Sequence, residues 1–170
     1  FNIALIVGGS ITIPHIRRAV ELLMELKDSY QLKYPDFQVS FDLNSIQVIY
    51  SDKVLLLSLF QNLFDNAYKY SQAHQRFLNI IVERRKQHIA FRFIDKGIGI
   101  EKSEQRNVFK KFYRIENQFN QNGSVGIGLA FCKEVANFLA GDIEVKSEPG
   151  MGSEFIVSLP FNYNELVTKS

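Results

Sequence analysis

At 100° per residue, Asn62, Asp65, Asn66 and Lys69 fall within roughly 100° of one another on one side of a helix, opposite an apolar arc of Leu56, Leu59, Phe60, Leu63, Phe64 and Ala67. Two amides, an acid and an amine thus share one stripe. Such stripes usually face solvent, although two asparagines in mid-helix are poor helix formers and count against an idle surface. A second group lies in Ile94-Asp95-Lys96-Gly97-Ile98-Gly99-Ile100, where an alternating strand delivers an acid to its end and two glycines let the backbone turn tightly against a ligand. A third is Gly123-Ser124-Val125-Gly126-Ile127-Gly128-Leu129, which opens a helix. Its glycines allow close approach, and free N–H groups with the helix dipole attract phosphate. No strand precedes it, so the dinucleotide-fold reading of a glycine-rich loop fails its context test. Each group is ambiguous alone.

The chain that must position these groups has 170 residues, enough for one compact domain with a short extension. With 46% of residues apolar and a single cysteine, it is neither a disulfide scaffold nor a disordered tail. The longest apolar runs, such as Ile3 to Val7 and Val54 to Leu57, fall far short of the roughly 18 residues of a membrane span, so the chain as given reads as soluble. Twenty basic against 18 acidic residues, scattered, leave no nucleic-acid footprint, and nucleic acid is not the expected partner. Cys132 sits in a helical apolar pattern, as a buried small hydrophobe suited to a reducing compartment. Phe1 where a Met would start points to a chain cut from something longer.

Ile16, Val20, Leu23, Met24 and Leu26 recur at helical spacing from Pro14, and Tyr34-Pro35 stops the pattern. Alternation over Phe37 to Leu43 and over Ile46 to Tyr50 predicts two short strands, with Leu43-Asn44-Ser45 between them. Asp52 caps a helix running to about Tyr70. Strands over Leu78 to Arg84 and His88 to Asp95 join at Arg85-Lys86-Gln87. Residues 96–125 form a long loop with one short helical stretch near Ser103 to Tyr113 and a polar run at Glu116 to Asn122, the signature of a mobile lid. A helix from near Gly126 ends at Gly141, and strands over Asp142 to Ser147 and Ser153 to Leu159 flank Glu148-Pro149-Gly150-Met151-Gly152. No internal repeat is present, and Phe161 to Ser170 shows no clear element.

In order along the chain, Asn62-Leu63-Phe64-Asp65-Asn66-Ala67-Tyr68-Lys69-Tyr70-Ser71, Asp95-Lys96-Gly97-Ile98-Gly99, Val108-Phe109-Lys110-Lys111-Phe112-Tyr113-Arg114 and Gly126-Ile127-Gly128-Leu129 resemble four motifs of one family. They look like the N box, first glycine box, F box and second glycine box of the ATP-binding catalytic domain of sensor histidine kinases, within the gyrase, heat-shock chaperone, histidine kinase and mismatch-repair ATPase superfamily. The resemblance runs from about Ile13 to Pro160 and includes Gly141-Asp142-Ile143 and Gly152-Ser153-Glu154-Phe155. It implies a two-layer α/β sandwich, a mixed sheet covered on one face by helices, with a long ATP lid. Residues 13–160 would be the kinase catalytic domain, 1–12 a remnant of a dimerisation region or linker, and 161–170 a tail.

By motif position, the resemblance implies that Asn66 ligates Mg²⁺ through its amide oxygen with Asn62 assisting, and that Lys69 neutralises phosphate. Hard oxygens suit Mg²⁺, which needs few protein contacts. Tyr70 would pack against the nucleotide, and Asp95 would accept a hydrogen bond from the adenine amine, where guanine presents a carbonyl. Gly97, Ile98 and Gly99 would complete that end of the site. Gly126, Ile127, Gly128 and Leu129 would complete the other, with Gly126 and Gly128 placing N–H groups at the phosphates. Arg114 is a candidate phosphate contact, or a solvated lid charge. Phe109 and Phe112 either anchor the lid or dock on a partner helix. Lys96 replaces a frequent Asn, and Ser124-Val125 stands where Gly-Thr or Gly-Ser is common.

Members of the superfamily that hydrolyse ATP carry a Glu four residues before the Mg-binding Asn, where Asn62 stands here. An amide cannot take a proton from water, which favours a kinase. None of His15, His74 and His88 fits a phosphoacceptor, so transfer would need a histidine on a dimerisation domain outside this chain and a response regulator receiver domain beyond it. The expected protein is a bacterial two-component kinase whose domain is cytoplasmic, alone a monomer and in full length a homodimer, with a membrane anchor left open. The alternatives are a non-catalytic ATP-binding interaction module and a hydrolysing ATPase.

Overall fold

Ile89, Phe91 and Phe93 are flanked across one sheet by Ile80 and Val82 on one side and by Phe155, Val157 and Leu159 on the other, and all of these side chains are buried. Period-two alternation therefore builds one continuous inward row. The computed structural model describes residues 5–7, 10–12, 16–43, 50–115 and 126–160. Its elements are β1 (Leu5–Val7), β2 (Ser10–Thr12), β3 (Ile16–Arg18), α1 (Ala19–Lys33), β4 (Gln38–Leu43), β5 (Tyr50–Asp52), α2 (Lys53–Tyr70), β6 (Phe77–Arg84), β7 (His88–Asp95), α3 (Gly128–Phe138), β8 (Asp142–Glu148) and β9 (Gly152–Pro160).

The main sheet has the order β4-β6-β7-β9-β8, with β4 and β6 parallel and the other neighbours antiparallel. Parallel neighbours need a crossover, and the chain between β4 and β6 supplies α2 for it. Leu22 and Leu23 of α1, Leu59, Phe60, Leu63 and Phe64 of α2, and Cys132, Val135 and Ala136 of α3 join the inward row in one core. Phe60 packs between Phe91 and Phe93 at 5.3 and 5.5 Å, and the buried Cys132 thiol is pushed up to about 12 by its apolar surroundings. The other face carries polar side chains such as Asn79, Glu83 and Arg92, the last paired with Glu154. The result is the two-layer mixed α/β sandwich that the motifs implied.

Four boundaries differ from the sequence reading. The first helix begins at Ala19, because Ile16 to Arg18 pair antiparallel with Tyr50 to Asp52, and Met24 is 52% exposed and lies outside the core. The strand Gln38–Leu43 pairs with β6, while residues 44–49 lie outside the described residues. Residues 102–112 form successive turns in place of a helix, with Val108 N–H on the Glu104 carbonyl and Lys110 N–H on that of Asn107. The last helix starts at Gly128 and stops before Gly141. Its left-handed terminal residue is Ala140 (φ 57°), with the Gly141 N–H returning 2.8 Å to the Ala136 carbonyl. Residues 1–4, 8–9, 13–15, 116–125 and 161–170, which hold Pro14, Ser124-Val125, the polar part of the expected lid and the tail, lie outside the described residues.

Candidate functional site

The inward row of β7 ends on an acid. After Ile89, Phe91 and Phe93 the next inward position is Asp95, so the alternation that buries three apolar side chains buries a carboxylate at 8% exposure. Its Oδ1 accepts the N–H of Gly97 at 2.7 Å and that of Ser153 at 3.2 Å. Burial nevertheless dominates and raises the Asp95 carboxyl to about 6. Among the described residues neither bond uses Oδ2, and Asp95 lines a cleft of about 440 Å³. That is the size of a small-ligand pocket.

The opposite wall comes from α2. The Asp52 carboxylate accepts the Leu55 N–H at 2.9 Å and starts the helix, and its apolar arc, pressed on the sheet, turns Asn62, Asp65, Asn66, Lys69 and Tyr70 toward the cleft. Asn62 donates its amide to the Ser58 carbonyl at 2.8 Å, which leaves its Oδ1 facing the first turn of α3. A Cβ on Gly128 would lie 2.6 Å from that oxygen, so glycine here is what lets the two helices approach. Lys69 donates to the Tyr70 hydroxyl at 3.3 Å and lies 4.9 Å over its ring. The Asn66 side chain makes no hydrogen bond among the described residues and lines the cleft.

The third wall is the start of α3. Gly126, Ile127, Gly128 and Leu129 line it, and among the described residues no side chain caps the helix, which leaves its first N–H groups facing the cleft as a place for an anion. Ile98, Gly99, Ile100, Val108, Tyr113, Arg114 and Ile115 close the remaining side. Gly99 has φ 72°, and a Cβ there would lie 2.1 Å from the Glu148 carbonyl oxygen, so the turn after β7 requires glycine against the β8–β9 hairpin. The Phe112 N–H bonds the Gly126 carbonyl at 2.9 Å and joins the two ends of the segment between them.

All the site residues named from the sequence line this one cleft except Gly97, which stands behind Asp95 as its N–H donor. Lys96, one step out of phase with Asp95, points elsewhere: its Nζ lies 4.6 Å over the Phe77 ring, in a separate cavity of about 350 Å³. The departure at that position therefore leaves the cleft untouched. The two expected lid phenylalanines differ: Phe109 packs edge-on to Phe155 at 6.5 Å, whereas Phe112 is 70% exposed with φ 63°. Sequence reading missed Ser153, Phe155, Ile100 and Val108 as cleft residues. Alternation of Val157 and Leu159 back through Phe155 to Ser153 was the available signal.

A nucleotide fits this donor set: a buried carboxylate at one end, and amides, an amine and uncapped N–H groups at the other. Among the described residues no cluster of three or more His, Cys, Asp or Glu could hold a metal by itself. Asn66 and Asn62 offer amide oxygens of the kind Mg²⁺ accepts when phosphates supply other ligands.

Residues 51–163 match the family described as histidine kinase-, DNA gyrase B-, and HSP90-like ATPase. The chain is 36% identical over 126 residues to the sensor-like histidine kinase SenX3 of Mycobacterium tuberculosis, covering 74% of this chain and 30% of that protein. Its fold is similar to that of the mycobacterial sensor histidine kinase MprB, with a TM-score of 0.74 at 21% identity over 87% of this chain and 97% of the other. Full-length ShkA in complex with AMPPNP also has a TM-score of 0.74, at 19% identity over 91% and 33%. The chain spans about a third or less of the length of the curated relatives it matches. Because the matched segment holds the walls of the cleft and most of the chain, the chain belongs to the histidine kinase-, DNA gyrase B- and HSP90-like ATPase family.

Proposed function

We propose that this chain binds Mg-ATP and presents the γ-phosphate to a histidine on a dimerisation domain outside it, for relay to a response regulator receiver domain. The observation that supports this most is the convergence of Asp95, the polar stripe of α2 and the uncapped start of α3 on one cleft. Asp95 would accept the adenine amine through Oδ2. Lys69, Arg114 and the first N–H groups of α3 would hold the phosphates, with Tyr70 against the nucleotide. Asn66, assisted by Asn62, would hold Mg²⁺, which when bound supplies positive charge at the phosphates. The AMPPNP complex of the structurally similar ShkA is in keeping with a nucleotide here.

Transfer to a protein side chain, in place of water, is supported by what surrounds the phosphate end. Asn62 cannot act as a base, and its amide is tied to Ser58. Asp65, the other acid lining the cleft among the described residues, accepts the Tyr30 hydroxyl. The exposed Phe112 offers an apolar contact to the phosphoacceptor helix. No helix among the described residues is long and apolar enough to cross a membrane, in keeping with a cytoplasmic domain. The isolated chain would be a monomer, and the full-length kinase a homodimer with or without a membrane anchor.

The test is to mix this chain with ATP, Mg²⁺ and the dimerisation segment of its own protein. Acid-labile phosphate on that segment is the expected result. Nucleotide binding with no transfer would favour an ATP-binding interaction module, and phosphate released by the isolated chain would favour a hydrolase.

A further inference from the structure

Ser147, on β8 and outside the cleft lining, is the centre of a hydrogen-bond network behind Asp95. Its Oγ donates to the Gly152 carbonyl at 2.7 Å, accepts the Ile100 N–H at 2.8 Å, and lies 2.9 Å from Ser153 Oγ. A serine hydroxyl has one proton and two lone pairs. With that proton on Gly152 and one lone pair taken by Ile100, only an accepting role toward Ser153 remains. By distance alone either oxygen could donate in the bond between the two hydroxyls, and this proton count assigns the donor role to Ser153. Gln105 braces the same point, its Nε2 donating to the Ile100 carbonyl at 3.0 Å and the Ser147 carbonyl at 2.7 Å.

We infer that Ser147 is a positioning residue for base selection: by taking the proton of Ser153, it leaves Ser153 Oγ able only to accept from a ligand beside Asp95. The inference rests on reading the cleft as an ATP site. Ser153 lines the cleft and also gives its N–H to Asp95 Oδ1. An unconstrained hydroxyl is indifferent, since it rotates to donate to a carbonyl as readily as it accepts from an amine. With its proton held, Ser153 stands with Asp95 as a second acceptor. That pair suits the exocyclic amine of adenine and opposes the carbonyl of guanine, and a buried acceptor left facing another acceptor is the kind of mismatch that discriminates strongly. The Ile100 N–H bond adds a second effect, fixing the turn Ile98 to Ile100 on the same wall.

Calorimetry with Mg-ATP and Mg-GTP tests this on the wild type and on Ser147→Ala, Ser147→Thr, Ser153→Ala and the double alanine variant. In Ser147→Ala the released hydroxyl of Ser153 can donate, so GTP binding should tighten, ATP binding should weaken, and the ATP:GTP preference should fall by about tenfold. Ser147→Thr should restore it. In the Ser153→Ala background, adding Ser147→Ala should leave the preference where Ser153→Ala put it. A purely structural role would lower the melting temperature and weaken both nucleotides in proportion. Wild-type preference in Ser147→Ala would overturn the inference. Should Ser147→Ala fail to fold, an unchanged preference in Ser153→Ala would overturn it equally. A wild-type chain that binds neither nucleotide would refute the ATP reading itself and the inference with it, an outcome distinct from normal ATP selectivity that ignores Ser147.

Discussion

The Tyr30 hydroxyl on α1 donates a 2.5 Å hydrogen bond to Asp65 Oδ1 on α2, one residue from Asn66. It ties the first helix to the polar wall of the cleft, while the Tyr30 ring, 6% exposed, packs 5.0 Å from Phe64.

Tyr30→Phe keeps the ring and removes the bond. A hydrogen bond to a charged group contributes about 1.5 to 3 kcal/mol, so urea denaturation should show a loss of that order at pH 7. Burial and the Asp65 contact hold the Tyr30 phenol above its usual range. Its contribution is therefore complete at neutral pH and is lost as pH rises beyond about 10, the ordinary tyrosine value. The variant should have a flatter alkaline limb than the wild type, and identical slopes above pH 10 would contradict the bond.

Asp95 sets a trade between folding and binding. Its carboxyl is raised from 3.8 to about 6 mainly by burial, so the folded state holds the proton more tightly than the unfolded one. The group's stabilising contribution is full below pH 3.8 and is lost as pH rises toward 6. Asp95→Asn removes this titration and should gain stability above pH 6, by up to about 3 kcal/mol, with the gain gone near pH 4. ATP affinity should move the other way. In the wild type it should fall as pH drops through about 6, because a protonated acid no longer accepts at both oxygens. Asp95→Ala should weaken ATP binding by about ten- to a hundredfold at pH 7. Calorimetry across pH 5 to 8 reads both effects.

Gly128→Ala places a methyl group 2.6 Å from Asn62 Oδ1. Overpacking of this kind costs about 1 to 3 kcal/mol, and nucleotide affinity should fall because the start of α3 moves away from α2. Removing the obstructing amide should relieve the strain, so Gly128→Ala should destabilise less in an Asn62→Ala background. Additive melting shifts in that cycle would show that the two positions do not meet.

Ala140 holds a left-handed backbone conformation that an L-residue adopts at a cost of about 1 to 2 kcal/mol. Ala140→Gly should relieve most of it, and the net gain after the added freedom of the unfolded chain should be about 1 kcal/mol. Thermal unfolding with a lower melting temperature for the glycine variant would contradict the geometry.

The sequence disclosed most where one physical period governs. The α2 stripe, its Asp52 cap and the strands over residues 77–84 and 88–95 follow from side-chain spacing, and they carried Asn62, Asn66, Lys69 and Asp95 to one cleft. It disclosed least where backbone groups or distant partners decide. Ile16 fits a helical stripe as well as a strand, and only its pairing with Asp52 chooses between them. Ser153 contributes a backbone N–H that no side-chain pattern announces. Gly141 was the natural residue to end α3, yet the left-handed turn falls one position earlier, because the Schellman bonds count from Ala136 and Asn137 and not from residue type.

The Phe112 N–H bond to Gly126 also bears on how much the length of the chain between them can vary. Entry and exit of the intervening segment are fixed to each other, and closure entropy rises by only about 0.6 kcal/mol for each doubling of loop length. Insertions and deletions between those two residues are thus cheap and leave the first turn of α3 in place. The segment between them is in that sense an exchangeable cassette, one that can be lengthened or shortened while the sheet, the core and the Asp95 end of the cleft keep their geometry.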